Sequence, residues 1–166
     1  MENLKIREDI IQFAQKLNST NLSPLRSGNV SVKVNENNID GFYITPSGKK
    51  YHELKPEDIV FLSLSEKKDF FRWFNSGKKP SSEWRFHQDI YVNKGEARAI
   101  VHAHSPHATA VSSHGKPIPA FHYMVALAGG NDIKCADYAT FGTSELSKNI
   151  INSLENRKAC LMSNHG

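Results

Sequence analysis

The sequence predicts an α/β fold in which helices pack against a mostly antiparallel sheet. Two observations support this class. Alternating apolar and polar residues near the N-terminus form a hairpin pattern, and later segments with helical periodicity are mixed with short apolar strands. The chain of 166 residues is long enough to bury one core, and no repeat or linker divides it. We therefore expect a single domain over residues 1–166.

The first third of the chain predicts one helix followed by a β-hairpin. Residues 1–17 combine apolar residues at helical spacing with charged ones, which indicates an amphipathic helix and not a signal peptide. Residues 30–34 alternate as a half-buried strand does, residues 35–40 form a turn, and residues 41–45 form the return strand. Another strand is expected over residues 59–64.

An aromatic cluster, Phe70 to Phe74, lies within the segment 66–79. Aromatic side chains can stack on bases of single-stranded nucleic acid, but no second aromatic and basic element accompanies this cluster. We therefore interpret it as part of an edge strand that packs on the core. The lysines occur in scattered pairs, so the net charge of +4 suits a small phosphate ester better than nucleic acid.

The second half of the chain alternates predicted helices with short strands. A serine before residue 83 can cap one helix, and Ser105-Pro106 supplies a cap and a first-turn proline for another. Apart from the helix that starts at Ser105-Pro106, the predicted helices cover 83–93 and 144–154, and the predicted strands cover 98–101 and 158–162.

Composition limits where the protein works. The mean hydropathy of −0.50 and the lack of a long apolar run argue against a membrane partner. Cys135 and Cys160 form no CxxC pair and are too few for a disulfide framework, which fits a reducing cytoplasm.

Four residues form a candidate metal site. His102 and His104 stand at i and i+2 where a strand ends, so both side chains project to the same side. His165 also follows a short apolar strand, and three histidines are a ligand set of catalytic zinc. Glu83, in the first turn of its helix, could complete the set, or it could be only an i,i+4 partner of His87. A chance HxH pair on a surface strand is the alternative for the histidines.

Three small polar segments are candidate phosphate sites: Gly28-Asn29, Ser47-Gly48 and Ser81-Ser82. Hydroxyl groups and backbone N–H groups at loops and helix starts bind phosphate well. Each segment taken alone can equally be an ordinary turn or helix cap. Because Ser81-Ser82 immediately precedes Glu83, a phosphate there would lie close to the predicted metal.

Together and in this order, these segments resemble the class II aldolase/adducin family. The likeness covers nearly the whole chain and rests on GNVS at 28–31, ITPSG at 44–48, PSSE at 80–83, HAH at 102–104 and HG at 165–166. The stretches SSEWRFH, IPAFHYMVALAGG and YATFGT are similar to the branch of the family that cleaves ketose 1-phosphates such as L-fuculose 1-phosphate.

The resemblance implies a three-layer α/β/α sandwich and a zinc-dependent aldolase of cytoplasmic carbohydrate metabolism, in particular fucose degradation. It implies one Zn²⁺ per subunit, held by His102, His104, His165 and Glu83. It also makes Glu83 the general acid/base on dihydroxyacetone phosphate, and Tyr123 the residue that handles the proton of the aldehyde-side hydroxyl. The expected aldehyde is L-lactaldehyde.

The resemblance further implies a homotetramer with its site between subunits, and Phe141 near the rim. Ser47 stands where threonine is frequent, a change that keeps the hydroxyl group. The phosphate-binding positions that it implies are Gly28, Asn29, Ser47, Gly48, Ser81 and Ser82.

Family members continue beyond the third histidine, whereas this sequence ends at Gly166. We therefore expect a domain that lacks the family's C-terminal segment and holds His165 loosely. The alternatives are a 4-epimerase, decarboxylase or dehydratase of the family, and a non-catalytic adducin-like binding domain. Epimerases typically carry aspartate where Glu83 stands, and a binding domain would be expected to lose ligands that this chain keeps.

Overall fold

Helices and strands alternate along the chain, as the sequence predicts. The computed structural model describes residues 3–65 and 78–166. Its elements are α1 (Leu4–Ser19), β1 (Asn29–Glu36), β2 (Ile39–Ile44), β3 (Val60–Ser63), α2 (Trp84–Asn93), β4 (Ala99–His102), α3 (Pro106–Ser112), β5 (Cys135–Ala136), α4 (Ser144–Ser153) and β6 (Leu161–Met162). Short 3₁₀ helices cover Tyr51–Glu53, Pro56–Asp58 and Tyr123–Ala128.

An antiparallel sheet in the order β3-β2-β1-β4 lies at the centre of the molecule. The predicted hairpin is confirmed, and its strands extend into the segment 35–40 because Asn37 and Asn38 alone turn the chain. Both have a positive φ, which asparagine tolerates and which two-residue hairpin turns favour. In the pairing of β1 with β4, Asn29 stands opposite His102.

The two faces of the sheet bury different helices. Val30 and Val34 of β1 and Tyr43 of β2 pack against α1, whereas Phe42 and Ile44 of β2 pack on the other face with α2. This division follows the strand period of two. Helix α4 packs against α2, and Ile100 of β4 packs against their shared cluster, so both helices lie on this second face and the predicted three-layer α/β/α sandwich is confirmed. The residues shared between α2 and α4 include Phe86, Ile90, Leu146 and Ile150.

Two elements differ from their predictions. Helix α2 starts at Trp84, so Glu83 occupies the N-cap position and not the first turn. The predicted serine cap is not formed: Ser81 Oγ accepts from the N–H of Glu83, which is itself the N-cap residue, at 3.3 Å. The final strand, β6, is only two residues long, because the N–H of Lys158 bonds to a loop carbonyl and only Leu161 and Met162 pair with β5.

The predicted aromatic edge strand at 66–79 lies almost entirely outside the described residues. Within the described ranges, no helix has the length and apolar character needed to cross a membrane.

Candidate metal centre and adjoining cavity

The side chains of Glu83, His102, His104 and His165 converge on one point. One ligand atom from each lies within 4.8 Å of all the others. The carboxylate of Glu83 bridges two of the imidazoles: its Oε2 is 3.1 Å from His102 Nε2, and its Oε1 is 3.1 Å from His165 Nε2. His102 Nε2 and His104 Nε2 are 2.8 Å apart. The structure therefore brings all four predicted ligands together.

The end of β4 positions two of these ligands. His102 is the last residue of β4 and is buried, and His104 follows two positions later on the same side of the chain. Ala103, between them, packs on the opposite side against the core next to α1. The backbone N–H of His104 donates to Ser23 Oγ at 2.9 Å, which fixes the chain just beyond the strand.

His165 is held in a turn that follows β6. Its backbone N–H donates to the carbonyl of Met162 at 3.0 Å, and the neighbouring Asn164 N–H donates to the carbonyl of Ser112 at 3.2 Å. The side chain of His165 is only 13% exposed. The expectation of a loosely held His165 therefore does not describe this structure, because backbone hydrogen bonds fix the turn.

The protonation states of the cluster suit a cation. Burial acts to raise the pKa of Glu83, but the contacts and charge interactions with His102 and His165 outweigh it and hold this pKa well below its usual range. Burial, with smaller contributions from His102 and His165, lowers the pKa of His104 to about 4. At neutral pH these two groups are a carboxylate and a neutral imidazole, the forms that bind metals.

The donor atoms also fit one ion in number and spacing. Ligands placed about 2.0–2.1 Å from a tetrahedral zinc lie about 3.3 Å from each other, close to the three measured separations. Glu83 Oε1 is buried and, among the described residues, makes no hydrogen bond of good geometry. A buried carboxylate oxygen without such a partner is costly unless another positive group satisfies it. The residues present therefore fit a bound divalent cation.

A chain of buried hydrogen bonds leads from the C-terminal half of α2 to Glu83. Tyr91 Oη lies 2.8 Å from Ser31 Oγ, and Ser31 Oγ lies 2.7 Å from His87 Nδ1. His87 Nε2 bonds to Asn29 Oδ1, and Asn29 Nδ2 donates to Glu83 Oε2 at 3.0 Å. The sequence suggested a direct i,i+4 contact between Glu83 and His87, but Asn29 joins them instead.

The direction of this chain follows from the state of His87. Burial lowers the pKa of His87 to about 3, so the ring is neutral and carries one N–H. Because the Asn29 amide nitrogen faces the Glu83 carboxylate, its oxygen faces His87, which must donate from Nε2 and accept at Nδ1. Every donor then points toward Glu83, and the Glu83 carboxylate is oriented by a group that the sequence predicted only as a phosphate ligand.

A cavity of about 450 Å³ opens beside the cluster. Glu83, His104 and His165 line it, and the turn at residues 45–48 meets the segment 79–82 through backbone hydrogen bonds. All six predicted phosphate positions line the same cavity: Gly28, Asn29, Ser47, Gly48, Ser81 and Ser82. Phe141 also lines it, as do three residues that the sequence did not single out: Arg26, Tyr138 and Asn164.

Gly28 is required here by a close approach of two chain segments. Its φ is +83°, and a Cβ atom at this position would lie 2.6 Å from both the His102 carbonyl oxygen and Ser23 Oγ. Asn29 follows directly and begins β1 opposite His102. A side chain at Gly28 would therefore push the chain at residues 28–29 away from the strand that carries His102.

Tyr123 does not join the cluster within one chain. It is 79% exposed and lines a separate groove with Phe121 and His122. The exposed apolar residues on this part of the chain, which we call the aromatic surface, are Phe121, Tyr123, Met124 and Leu127.

Comparisons with known proteins identify what this arrangement resembles. Residues 8–166 match the family described as class II aldolase and adducin N-terminal domain. The chain is 45% identical over 163 residues to 5-methylthioribulose-1-phosphate/5-deoxyribulose-1-phosphate aldolase of Rhodospirillum rubrum, covering 98% of this chain and 69% of that protein. It is 46% identical over 166 residues to L-fuculose phosphate aldolase of Escherichia coli O157:H7, covering 100% of this chain and 73% of that protein.

A solved structure of an L-fuculose 1-phosphate aldolase has the same fold. The TM-score is 0.86 at 36% sequence identity, over 100% of this chain and 74% of the other.

Proposed function

The chain belongs to the class II aldolase and adducin family and is an aldolase of the lyase class, and from this premise we propose that it is a zinc-dependent enzyme that cleaves a ketose 1-phosphate. The observation that supports the proposal most strongly is the position of the Glu83 and histidine cluster, which opens directly into a cavity lined by serine and glycine loops. We propose zinc because three histidines and one carboxylate are a donor set that zinc prefers.

The short distance between the predicted phosphate positions and the Glu83 and histidine cluster favours a ketose 1-phosphate as the substrate. In a ketose 1-phosphate the carbonyl carbon is bonded to the carbon that carries the phosphate ester, so both groups must be bound within a few ångströms. Asn29 Nδ2 lies 3.0 Å from both Ser81 Oγ and Glu83 Oε2, and so joins the phosphate side to the cluster. A 5-phosphate would place these groups at opposite ends of the sugar.

Glu83 is proposed to move the proton on the dihydroxyacetone phosphate half. When bound, a divalent cation would polarise the ketose carbonyl and stabilise the negative charge released by carbon–carbon bond cleavage. Cleavage between C3 and C4 turns the C4 hydroxyl into an aldehyde and leaves its electron pair on the C3 side. The Glu83 carboxylate, which is ionised at rest, would first take up a proton from solvent and then deliver it to C3, and Asn29 keeps the side chain oriented.

The aldehyde half is proposed to be served by Tyr123 of a second copy. Tyr123 is exposed and lies on the aromatic surface, outside the cavity of its own chain. In a homotetramer with its site between subunits, this surface could close over a neighbour's cavity, and the phenol oxygen could accept the C4 hydroxyl proton while its own proton passes to solvent. The oligomer would thus complete a site that one chain builds only in part.

The preferred substrate is proposed to be L-fuculose 1-phosphate, giving dihydroxyacetone phosphate and L-lactaldehyde in the cytoplasm. One relative is named for L-fuculose phosphate and another for 5-methylthioribulose 1-phosphate and 5-deoxyribulose 1-phosphate. These sugars share a far end that lacks a terminal hydroxyl group. The second candidate function is therefore cleavage of the shorter deoxy or methylthio ketose 1-phosphates, at the same site.

The deciding experiment measures metal and products together. Purified protein, grown with added zinc, is expected to hold about one zinc per chain, and to release dihydroxyacetone phosphate from L-fuculose 1-phosphate and from 5-deoxyribulose 1-phosphate. The ratio of kcat/KM values assigns the substrate. Epimerised, decarboxylated or dehydrated products would replace the aldolase assignment by another enzyme of the family, and binding without any product would favour the adducin-like alternative.

A further inference from the structure

We propose that Arg26 is a specificity residue that binds the phosphate group of the substrate and selects phosphorylated over free ketoses. The inference rests on the proposed function, and it concerns a residue that the glycine and serine motifs do not include. Arg26 lines the cavity and is exposed to it. Among the described residues that line this cavity, Arg26 is the only lysine or arginine.

The guanidinium group is already placed at the phosphate side of the cavity. Arg26 Nη1 donates to the carbonyl oxygen of Gly48 at 2.6 Å, so the group is fixed beside the Ser47-Gly48 turn. A guanidinium group has five N–H donors in a planar fork, and this bond uses one of them. The remaining donors can bind two phosphate oxygens together, which a serine hydroxyl cannot do.

The loop that carries Arg26 is held from two sides. Asn18 Nδ2 of α1 donates to the carbonyls of Ser23 and Leu25 at 2.7 and 2.9 Å, and Tyr51 Oη donates to the carbonyls of Ser27 and Gly28. These bonds fix the backbone on both sides of Arg26. A binding group on a fixed loop loses little conformational freedom when a ligand arrives.

Leu25, just before Arg26, has an unusual conformation. Its φ is +55°, in the left-handed region that branched side chains disfavour, and its side chain is 88% exposed. Neither feature contributes to a core. Strained residues cluster at functional sites, and Leu25 immediately precedes the cavity-lining Arg26.

Charge balance favours a positive side chain in this cavity even with a metal ion bound. A phosphate ester brings up to two negative charges next to the Glu83 carboxylate, and together these exceed the two positive charges that a bound zinc ion would supply. Serine hydroxyls and backbone N–H groups supply hydrogen bonds without net charge. The two lysines that follow the Ser47-Gly48 turn are already compensated: Lys49 lies 2.6 Å from Asp58, and Lys50 lies 3.6 Å from Glu53. Arg26 has no carboxylate partner among the described residues.

The test compares Arg26→Gln with Arg26→Lys and with Lys50→Gln as a matched loss of one charge outside the cavity. Arg26→Gln is expected to raise KM for the ketose 1-phosphate and the inhibition constant of inorganic phosphate about tenfold, with kcat changed less than twofold. Arg26→Lys should recover part of the affinity, and Lys50→Gln should leave both constants unchanged. Turnover of the unphosphorylated ketose should be the same in all variants.

Two outcomes would overturn the proposal. One is an Arg26→Gln protein with wild-type constants, and the other is an equal loss in Lys50→Gln, which would indicate only a general effect of net charge. Melting temperatures confirm that the variants fold. If the wild-type chain cleaves no ketose phosphate, the proposed function fails, but calorimetric binding of inorganic phosphate to the same proteins still decides the role of Arg26.

Discussion

The Glu83 and histidine cluster differs from the aromatic surface around Tyr123 in its burial and in what holds the side chains in place. Glu83 and His102 are buried and are oriented by Asn29 and the sheet, and the contacts with His102 and His165 outweigh burial and hold the pKa of Glu83 well below its usual range. Tyr123 lies on a short 3₁₀ helix on which Tyr123, Met124 and Leu127 are exposed, whereas Val125 and Ala128 are buried. Under the proposed function, one chain would hold the carbonyl and phosphate end of a substrate, and the aldehyde end would depend on a partner.

The largest effect is expected in the buried cluster, from the substitution Glu83→Gln. The amide keeps the size of the carboxylate but cannot move a proton, so we expect kcat for ketose phosphate cleavage to fall about 10³-fold. Affinity for inorganic phosphate should change little. Glu57→Gln, an exposed change of the same type, is the control. A Glu83→Gln enzyme within tenfold of wild type would remove Glu83 from the proposed chemistry.

The next largest effect is expected on the exposed aromatic surface. Tyr123→Phe should lower kcat about 100-fold without loss of zinc, because the phenol hydroxyl moves only the aldehyde-side proton. If a second copy supplies Tyr123, co-expression of Glu83→Gln and Tyr123→Phe chains should restore intact sites in about a quarter of random pairings. Each variant expressed alone is the control. Hybrid oligomers without recovered activity would place both residues in the same chain's site.

A smaller effect is expected from His87→Leu, which keeps every residue of the Glu83 and histidine cluster but removes the hydrogen bond of His87 to Asn29. The substitution removes the partner of Asn29 Oδ1 and of Ser31 Oγ, so unfolding free energy should fall about 1–3 kcal/mol. Loss of this outer support should weaken zinc affinity about tenfold, measured against a competing chelator. His114→Leu, at an exposed position, should change neither quantity. Unaltered zinc affinity in His87→Leu would show that Asn29 orients Glu83 unaided.

The smallest effect is expected at the far end of the same hydrogen-bond chain. Tyr91→Phe removes one hydroxyl contact with Ser31 and should lower the free energy of unfolding in urea by about 1 kcal/mol. Because three further groups separate Tyr91 from Glu83, kcat should stay within twofold of wild type. A larger loss of kcat than of stability would extend the functional network to Tyr91. Tyr138→Phe, at an exposed tyrosine, is the stability control.

The sequence could predict the parts of the site that depend on local pattern. The i, i+2 spacing of His102 and His104 at a strand end places both on one side, and the structure agrees. The role of Asn29 could not be predicted in this way. Its amide meets Glu83 only because β1 pairs with β4 in the register that sets Asn29 opposite His102, and such pairing depends on the whole sheet.

The missed elements have the same origin. The parallel pair of β5 and β6 joins residues 135–136 to 161–162, and no local signal specifies such a long-range contact. Arg26 was missed because nothing in its own segment distinguishes a cavity-lining arginine from a surface one. The bond to Gly48 that identifies it connects two separate loops.

The strand register at Asn29 and His102 has a consequence for how the protein folds. Side chains on a strand alternate, so a slip of one residue between β1 and β4 would turn His102 away from Glu83. The ligand set is thus complete only after distant segments have paired correctly, and a misregistered chain would bind zinc poorly. When the free concentration of an ion is 1,000 times its dissociation constant, its binding to the native state alone raises the free energy of unfolding by about 4 kcal/mol. Under the proposed function, a bound zinc ion would therefore stabilise only the state in which β1 and β4 are correctly paired.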